Sequence, residues 1–310
     1  MIPASRAVPL LDPSRMATVI AERFRESGRR GTRVPVASRV EWVEEGGLRF
    51  IVRVLAPRAS RDRASGAAAG GGDRRALAGA SGPGASANDD GGPRSPFLPP
   101  YDPTLLVGAI SPTHLCILNK FNVVDHHVLV VTRGYEDQEV ALTAADLGAA
   151  STCLGGVDGL AFFNGGAAAG ASQAHKHLQV VPLPLAPGGE RFPLAGRVET
   201  ALAAARGRVE GFAFRHRLAA VDSPDRAWRT YRALLADLAL ERPGGRAAPY
   251  NLLMTRRWML LVARSRGALD GIEVNALGFA GTLLVAGEEE LSRVRERGPL
   301  EILRRVAVAD

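Results

Sequence analysis

Apolar positions recur with a clear period along most of this chain and with none along one stretch. Asp12-Pro13-Ser14 sets a capping residue before a proline suited to a first helical turn, and Met16, Val19, Ile20 and Phe24 follow at helical spacing. An amphipathic helix is therefore predicted up to Gly28. Residues 40–43 and 48–55 flank Glu45-Gly46-Gly47 and read as a β-hairpin whose second strand turns Phe50, Val52 and Val54 inward. Residues 113–118 and 127–132 are β-rich, Thr143 caps a helix to 154, and strands are predicted at 160–163 and 177–181 around the glycine-rich link 164–170.

A Pro/Gly-rich stretch, 182–189, then separates this part from the remaining C-terminal residues. Helices are predicted around 198–206 and 224–240, β-runs at 250–254, 258–262 and 279–285, and helices at 288–295 and 300–306. Hairpins mixed with separated helices predict an α+β fold rather than a doubly wound sheet. Two domains are expected, 1–189 and 190–310, packed together. Between 59 and 95 the composition collapses to Gly, Ala, Ser, Arg and Asp without periodicity, so burial cannot offset ordering entropy and a disordered insertion is expected. Gly70-Gly71-Gly72 has no helix behind it and is weak evidence for a phosphate loop.

Composition adds limits. No apolar run reaches the ~18 residues that would suggest a membrane span, and the first residues lack the layout of a secretory signal. Cys116 and Cys153 have no CxxC spacing, which fits a reducing compartment; a soluble, cytoplasmic protein is expected. A formal charge of +7 would suit nucleic acid, yet the arginines are scattered and often adjoin acids, as in residues 22–26 and 293–297. An arginine-rich composition explains that charge without a partner.

The segment 170–182 carries the chemistry. As a strand it would put His175, His177 and Gln179 on one face and Lys176, Leu178 and Val180 on the other, behind a Gly/Ser turn able to offer N–H groups. Of 39 basic residues only Lys120 and Lys176 are lysines. The histidines admit three readings: a metal pair, for which four ligands are not evident; a buried structural pair; or a nucleophile in a phosphate site. Asn164, Ser172 and Gln173 nearby favour the last, since phosphoryl or nucleotidyl transfer needs convergent polar groups at a glycine-lined turn.

His175-Lys176-His177-Leu178-Gln179, with residues 170–173 and Asn164 before it, resembles the active-site segment of ATP adenylyltransferases, also called diadenosine tetraphosphate phosphorylases. These lie on the branch of the histidine-triad superfamily whose third histidine is glutamine, as in galactose-1-phosphate uridylyltransferases. Residues 114–124, 127–132 and Gln138 are similar to that family's upstream block, and residues 251–259 and 275–281 to its C-terminal region.

The resemblance implies a histidine-triad-like antiparallel sheet with packed helices, a C-terminal α/β extension, and reversible phosphorolysis of diadenosine tetraphosphate to ATP and ADP. By the same resemblance His177 is the nucleophile that carries an adenylyl group, Gln179 donates to the α-phosphate, and His175 supports the nucleophile. The resemblance further implies that Gly170, Ala171, Ser172 and Gln173 supply N–H donors, that Asn164 fixes ribose or phosphate, and that Asn119 and Lys120 meet the polyphosphate. Asn251, Met254 and Thr255 are carried over as substrate contacts. Arg61 is the nearest match to a lysine that the family usually has after the 48–55 strand.

The expected partners are dinucleoside polyphosphate, ATP, ADP and phosphate, without membrane or specific nucleic acid. No obligatory cofactor or protein metal site is expected; Mg2+ would accompany the polyphosphate. Within the superfamily the alternative is a nucleotidyltransferase for uridine sugars or adenylyl sulfate. Outside it, the alternative is a non-catalytic nucleotide- or nucleic-acid-binding module.

Overall fold

A computed structural model describes residues 8–56 and 95–310. Most of the 59–95 insertion, Arg61 included, thus lies outside the described residues, but Ser95 does not. Helix α1, Met16–Arg29, begins one short turn after Asp12, whose carboxylate accepts from the Ser14 amide. The hairpin forms as predicted from β1, Ser38–Glu45, and β2, Leu48–Leu55, with Gly46 and Gly47 both at positive φ in the turn.

An eight-stranded, wholly antiparallel sheet organises the rest. Its strands in chain order are β3 (Leu106–Ala109), β4 (His114–Leu118), β5 (Val128–Thr132), β6 (Gly159–Gly165), β7 (His177–Pro182), β8 (His216–Ala220), β9 (Tyr250–Met254) and β10 (Trp258–Ala263). The spatial order is β3-β4-β5-β7-β6-β9-β10-β8. A short hairpin, β11 (Ala268–Leu269) and β12 (Ile272–Glu273), comes after β10. Strand β13, Thr282–Val285, pairs in parallel with β2 and closes a separate three-stranded sheet.

The two faces of the large sheet are covered differently. On one, α1, α2 (Ala144–Gly156) and α4 (Ala227–Asp237) pack over Leu178, Val180, Ala161, Phe163 and Leu252. On the other, the small sheet with α3 (Ala195–Ala203), α5 (Glu288–Arg297) and α6 (Pro299–Val306) packs over Phe162, Val181 and Leu253. Leu178 and Val180 are fully buried, and each such side chain stabilises by roughly 1.5–3 kcal/mol.

Three expectations change. The boundary at residue 189 falls inside one sheet, because β6 pairs with β9: the strands before that boundary fill one side of this ladder and β9, β10 and β8 the other. The predicted 279–285 strand shortens, since Ala276–Ala280 form a 3-10 turn capped by the Asn275 side chain. Strands β3 and β8 had gone unpredicted; LVGA and HRLAA are short, and their Gly, Arg and His dilute the β signal. Among the described residues, no helix is long and apolar enough to cross a membrane.

Candidate active site

Strand β7 carries the histidine motif with the alternation its sequence implies. His177 faces Val131 of β5, and Gln179 sits between Leu129 of β5 and Phe162 of β6. The His177 ring is buried, and its Nδ1–H donates to the carbonyl of His175 at 2.9 Å, which leaves the Nε2 lone pair for chemistry. Burial pushes the His177 pKa down to about 4, although the His175 carbonyl favours the protonated form. The imidazole is therefore neutral at physiological pH, as a nucleophile at phosphorus must be.

Gln138 locks this strand in place. Its amide nitrogen donates to the carbonyls of Asn164 (2.9 Å) and His177 (3.1 Å), and its oxygen accepts the His177 amide at 2.8 Å. One side chain thus ties the end of β6 to the start of β7. His175 precedes the regular strand and is held by Ser95 Oγ at Nδ1 (2.7 Å) and by Thr132 Oγ1 and O at Nε2, both 2.9 Å. The Thr132 carbonyl can only accept, so Nε2 carries the proton and the Ser95 hydroxyl donates to Nδ1. Phe97 packs on both rings, with centroids 5.7 Å from His175 and 5.1 Å from His177.

Beyond Gln179 a cavity of about 360 Å³ opens between the two sheets. Its wall includes apolar Phe121, Val124, Leu185 and Leu283, the turn residues Gly170, Ala171 and Ser172, and the polar Asn119, His127 and Arg53. Apolar walls with a few convergent polar groups are the usual make-up of a small-molecule site. Asn119 has its oxygen engaged by the Phe121 amide at 3.0 Å and lies 3.1 Å from His127 Nδ1 through its nitrogen. It therefore donates to Nδ1 and places the His127 proton on Nε2. Burial holds His127 near pKa 4 against the opposing pull of the neighbouring Gln179 side chain, so the two polar groups stand together in the cavity wall.

The glycine-rich turn is built differently from the expectation. The amides of Gly170 and Ala171 donate to the carbonyls of Ala167 (3.0 Å) and Gly166 (3.1 Å), so these N–H groups are engaged within the turn rather than offered to the cavity. Gly170 itself is required: its φ is +86°, and a Cβ there would stand 2.5 Å from the Val274 carbonyl oxygen. Asn164 and Asn251 face each other across β6 and β9, and Asn251 donates at 2.8 Å to both Asn164 Oδ1 and the Ala169 carbonyl. Asn164 Oδ1 also accepts the Ala276 amide at 2.9 Å. The pair therefore braces the turn, and Asn251 acts on the site through Asn164 and Ala169.

The other expected contacts are dispersed. Met254 pairs with Ala161 and Met259 and is buried in the helix-covered core, because alternation along β9 turns it away from the Asn251 face. Thr255 lies at the far end of β9, its hydroxyl accepting the Arg257 amide in the hairpin turn. Gln173 is half-buried outside the cavity wall. Lys120 is exposed, its ammonium 5.3 Å from the centroid of the Phe121 ring. Lys176 is fully buried on the opposite face, bonded to Glu136 (2.8 Å) and Asp146 (3.1 Å). Among the described residues the cavity's cation is Arg53 on β2, whose guanidinium burial depresses its pKa and whose Nε has no partner. Arg53 and His127 were not singled out from the sequence, and neither was Ser95. The resemblance blocks include His127, but a histidine opening a β-run gives no sign of its own that it faces a ligand.

The chain is similar to known proteins over most of its length. The family described as "Ap4A phosphorylase N-terminal domain" matches residues 6–200, and that described as "ATP adenylyltransferase C-terminal domain" matches residues 210–309. Protein APA1 of Saccharomyces cerevisiae is 29% identical over 226 residues, covering 62% of this chain and 68% of its own. Diadenosine 5',5'''-P1,P4-tetraphosphate phosphorylase 2 of the same yeast is 28% identical over 255 residues, 69% of this chain and 75% of its own. The crystal structure of yeast Ap4A phosphorylase Apa2 shares the fold, with a TM-score of 0.71 at 21% identity over 96% of this chain and 95% of that one. Its complex with Ap4A superposes with a TM-score of 0.70 at 20% identity, over 95% and 97% of the two chains. With the first match alone spanning more than half its length, the chain belongs to the Ap4A phosphorylase family and carries the ATP adenylyltransferase C-terminal domain in its second part.

Proposed function

We propose that this nucleotidyltransferase cleaves diadenosine tetraphosphate with inorganic phosphate to ATP and ADP through an adenylyl group on His177. The observation that carries the reading is a neutral, buried imidazole with Nδ1 fixed on a backbone carbonyl, two residues along one strand face from Gln179 at the cavity. Nε2 attacks an α-phosphorus; the bond from that phosphorus to the bridging oxygen breaks, and ATP leaves with the electron pair. The imidazolium formed keeps its Nδ1 proton on the His175 carbonyl. A phosphate oxygen then attacks the same phosphorus, the N–P bond breaks, and ADP departs. Splitting one displacement into two suits imidazole, which attacks when neutral and leaves well from phosphorus.

Gln179 and the His127 Nε2–H are the donors nearest the reacting α-phosphate, and Arg53 gives the cavity a cation where Arg61 had been expected to. Lys120, at the rim, meets the distal phosphates, and a divalent ion enters with the polyphosphate. The fold's likeness to a yeast enzyme crystallised with Ap4A supports the substrate. Incubation with labelled substrate in the absence of phosphate should leave an acid-labile, base-stable adenylate on the wild type and none on His177→Ala. Equal labelling of both proteins would remove His177 from the mechanism. Product analysis with Ap4A plus phosphate tests acceptor and bond together: release of AMP, or of two ADP, contradicts the scheme.

A further inference from the structure

Arg264 follows β10 with only 3% of its surface exposed. Among the described residues its guanidinium is solvated by five oxygens: the carbonyls of Ala169 (3.2 Å), Val306 (3.1 Å), Arg266 (2.7 Å) and Val274 (2.9 Å), and the side-chain oxygen of Asn251. All five are neutral. Glu273, the carboxylate of the cavity wall, is not among them. Buried charges are ordinarily paired, because desolvation is repaid only by an opposite charge close by. Here desolvation lowers the pKa to about 9, which still leaves the group cationic at neutral pH.

Its position gives the missing charge a place. Ala169 belongs to the turn whose Ala167 and Gly170 line the cavity, and Val274 lines it directly. Asn251, held by the guanidinium, in turn holds Asn164 and the Ala169 carbonyl. The cation therefore stands one backbone layer behind the cavity, with each of its three nitrogens engaged and a polar relay running to the wall.

We propose that Arg264 is a second, fixed cation of the polyphosphate site, acting from behind the Gly166–Gly170 turn through Ala169 and Asn251, with the substrate's phosphates as its counter-charge. It is a positioning residue: it touches no substrate, but sets the potential that the phosphates meet and the shape of the turn that meets them. A structural hub would be indifferent to ligand charge, whereas a buried cation discriminates by it. The proposal rests on the nucleotide reading above, and its test uses one probe that needs no adenine recognition.

Binding of inorganic tripolyphosphate, ATP and adenosine should be measured by calorimetry at one ionic strength for the wild type, Arg264→Gln and Arg264→Lys. Arg264→Gln should weaken tripolyphosphate and ATP on the order of tenfold or more, as expected for one charge felt through protein, while adenosine changes less than about twofold. Arg264→Lys should restore most of the difference between ATP and adenosine. If Arg264→Gln does not fold, Asn251→Asp keeps the guanidinium and gives it a carboxylate, and the ATP-to-adenosine ratio should collapse in the same way. Equal losses for adenosine and ATP, an unchanged ratio in Asn251→Asp, or a wild type indifferent to tripolyphosphate would each overturn the proposal. Wild-type binding of tripolyphosphate without adenylyl transfer would instead overturn the function proposed above and leave the role of Arg264 standing.

Discussion

At the scale of single residues, the site depends on histidines kept neutral by burial. His177 and His127 both sit near pKa 4, well below the ordinary value of 6.5, and His175 is lowered in the same direction by the same cause. The unfolded chain binds these protons first on acidification, so their contribution to stability is complete above about pH 6.5 and is lost as pH falls toward 4. Melting temperature should accordingly drop across that window, and His127→Gln should flatten the drop. The same shift moves the acid limb of kcat/KM: a profile bending near pH 6.5 would mean that His177 is not held as described, whereas a limb near pH 4 to 5 is expected. Gln179→Ala should lower kcat by about 10²- to 10³-fold, the range for removing one preorganised donor at a developing charge; an unchanged kcat would deny Gln179 that role.

At the scale of elements, the motif strand is held from behind by a charged cluster. Asp146 completes a capping box with Thr143 at the start of α2, accepts from His114 at 2.8 Å, and pairs with Lys176. Removing one partner of such a buried set strands the other, so Lys176→Ala should cost about 3–5 kcal/mol by denaturant melts, and Lys176→Met less than Ala because it refills the volume. Gln138→Leu, which breaks the bridge between β6 and β7, should cost roughly 1–3 kcal/mol per stranded backbone group and lower kcat more than it raises KM.

These elements also show how far the sequence could be read. The strand alternation of residues 175–180, the Thr143 cap and the early hairpin needed only local spacing, and each formed. Ser95 could not be recognised, because its partner His175 is 80 residues away and its own surroundings read as insertion. Met254 was carried over with Asn251 from the family resemblance, but positions three apart on a strand face opposite ways, so the two cannot share the cavity face. Arg264 looked like one more arginine among many until five carbonyl-type oxygens closed around it.

For the whole molecule, the decisive fact is that the strands of both family domains join edge to edge in one continuous sheet. The β6 to β9 ladder lies near its centre, with β7 on one side and β10 on the other. A fragment ending at residue 189 would therefore expose β6 as a raw edge and lose half of the Asn164–Asn251 brace. Such a fragment should be insoluble or molten, and the intact chain should unfold in one calorimetric transition. Two separate transitions would show that the domains are energetically independent despite the shared sheet.

The burial of Lys176 has a practical side. Lys120 and Lys176 are the lysines of this chain, and the second has its amine paired inside the core. An amine-reactive dye used under native conditions should therefore label one side chain, Lys120, besides the α-amino group. That residue neighbours Phe121 in the cavity wall, so a fluorophore attached there becomes an optical gauge of whether the cavity is filled, without any substitution.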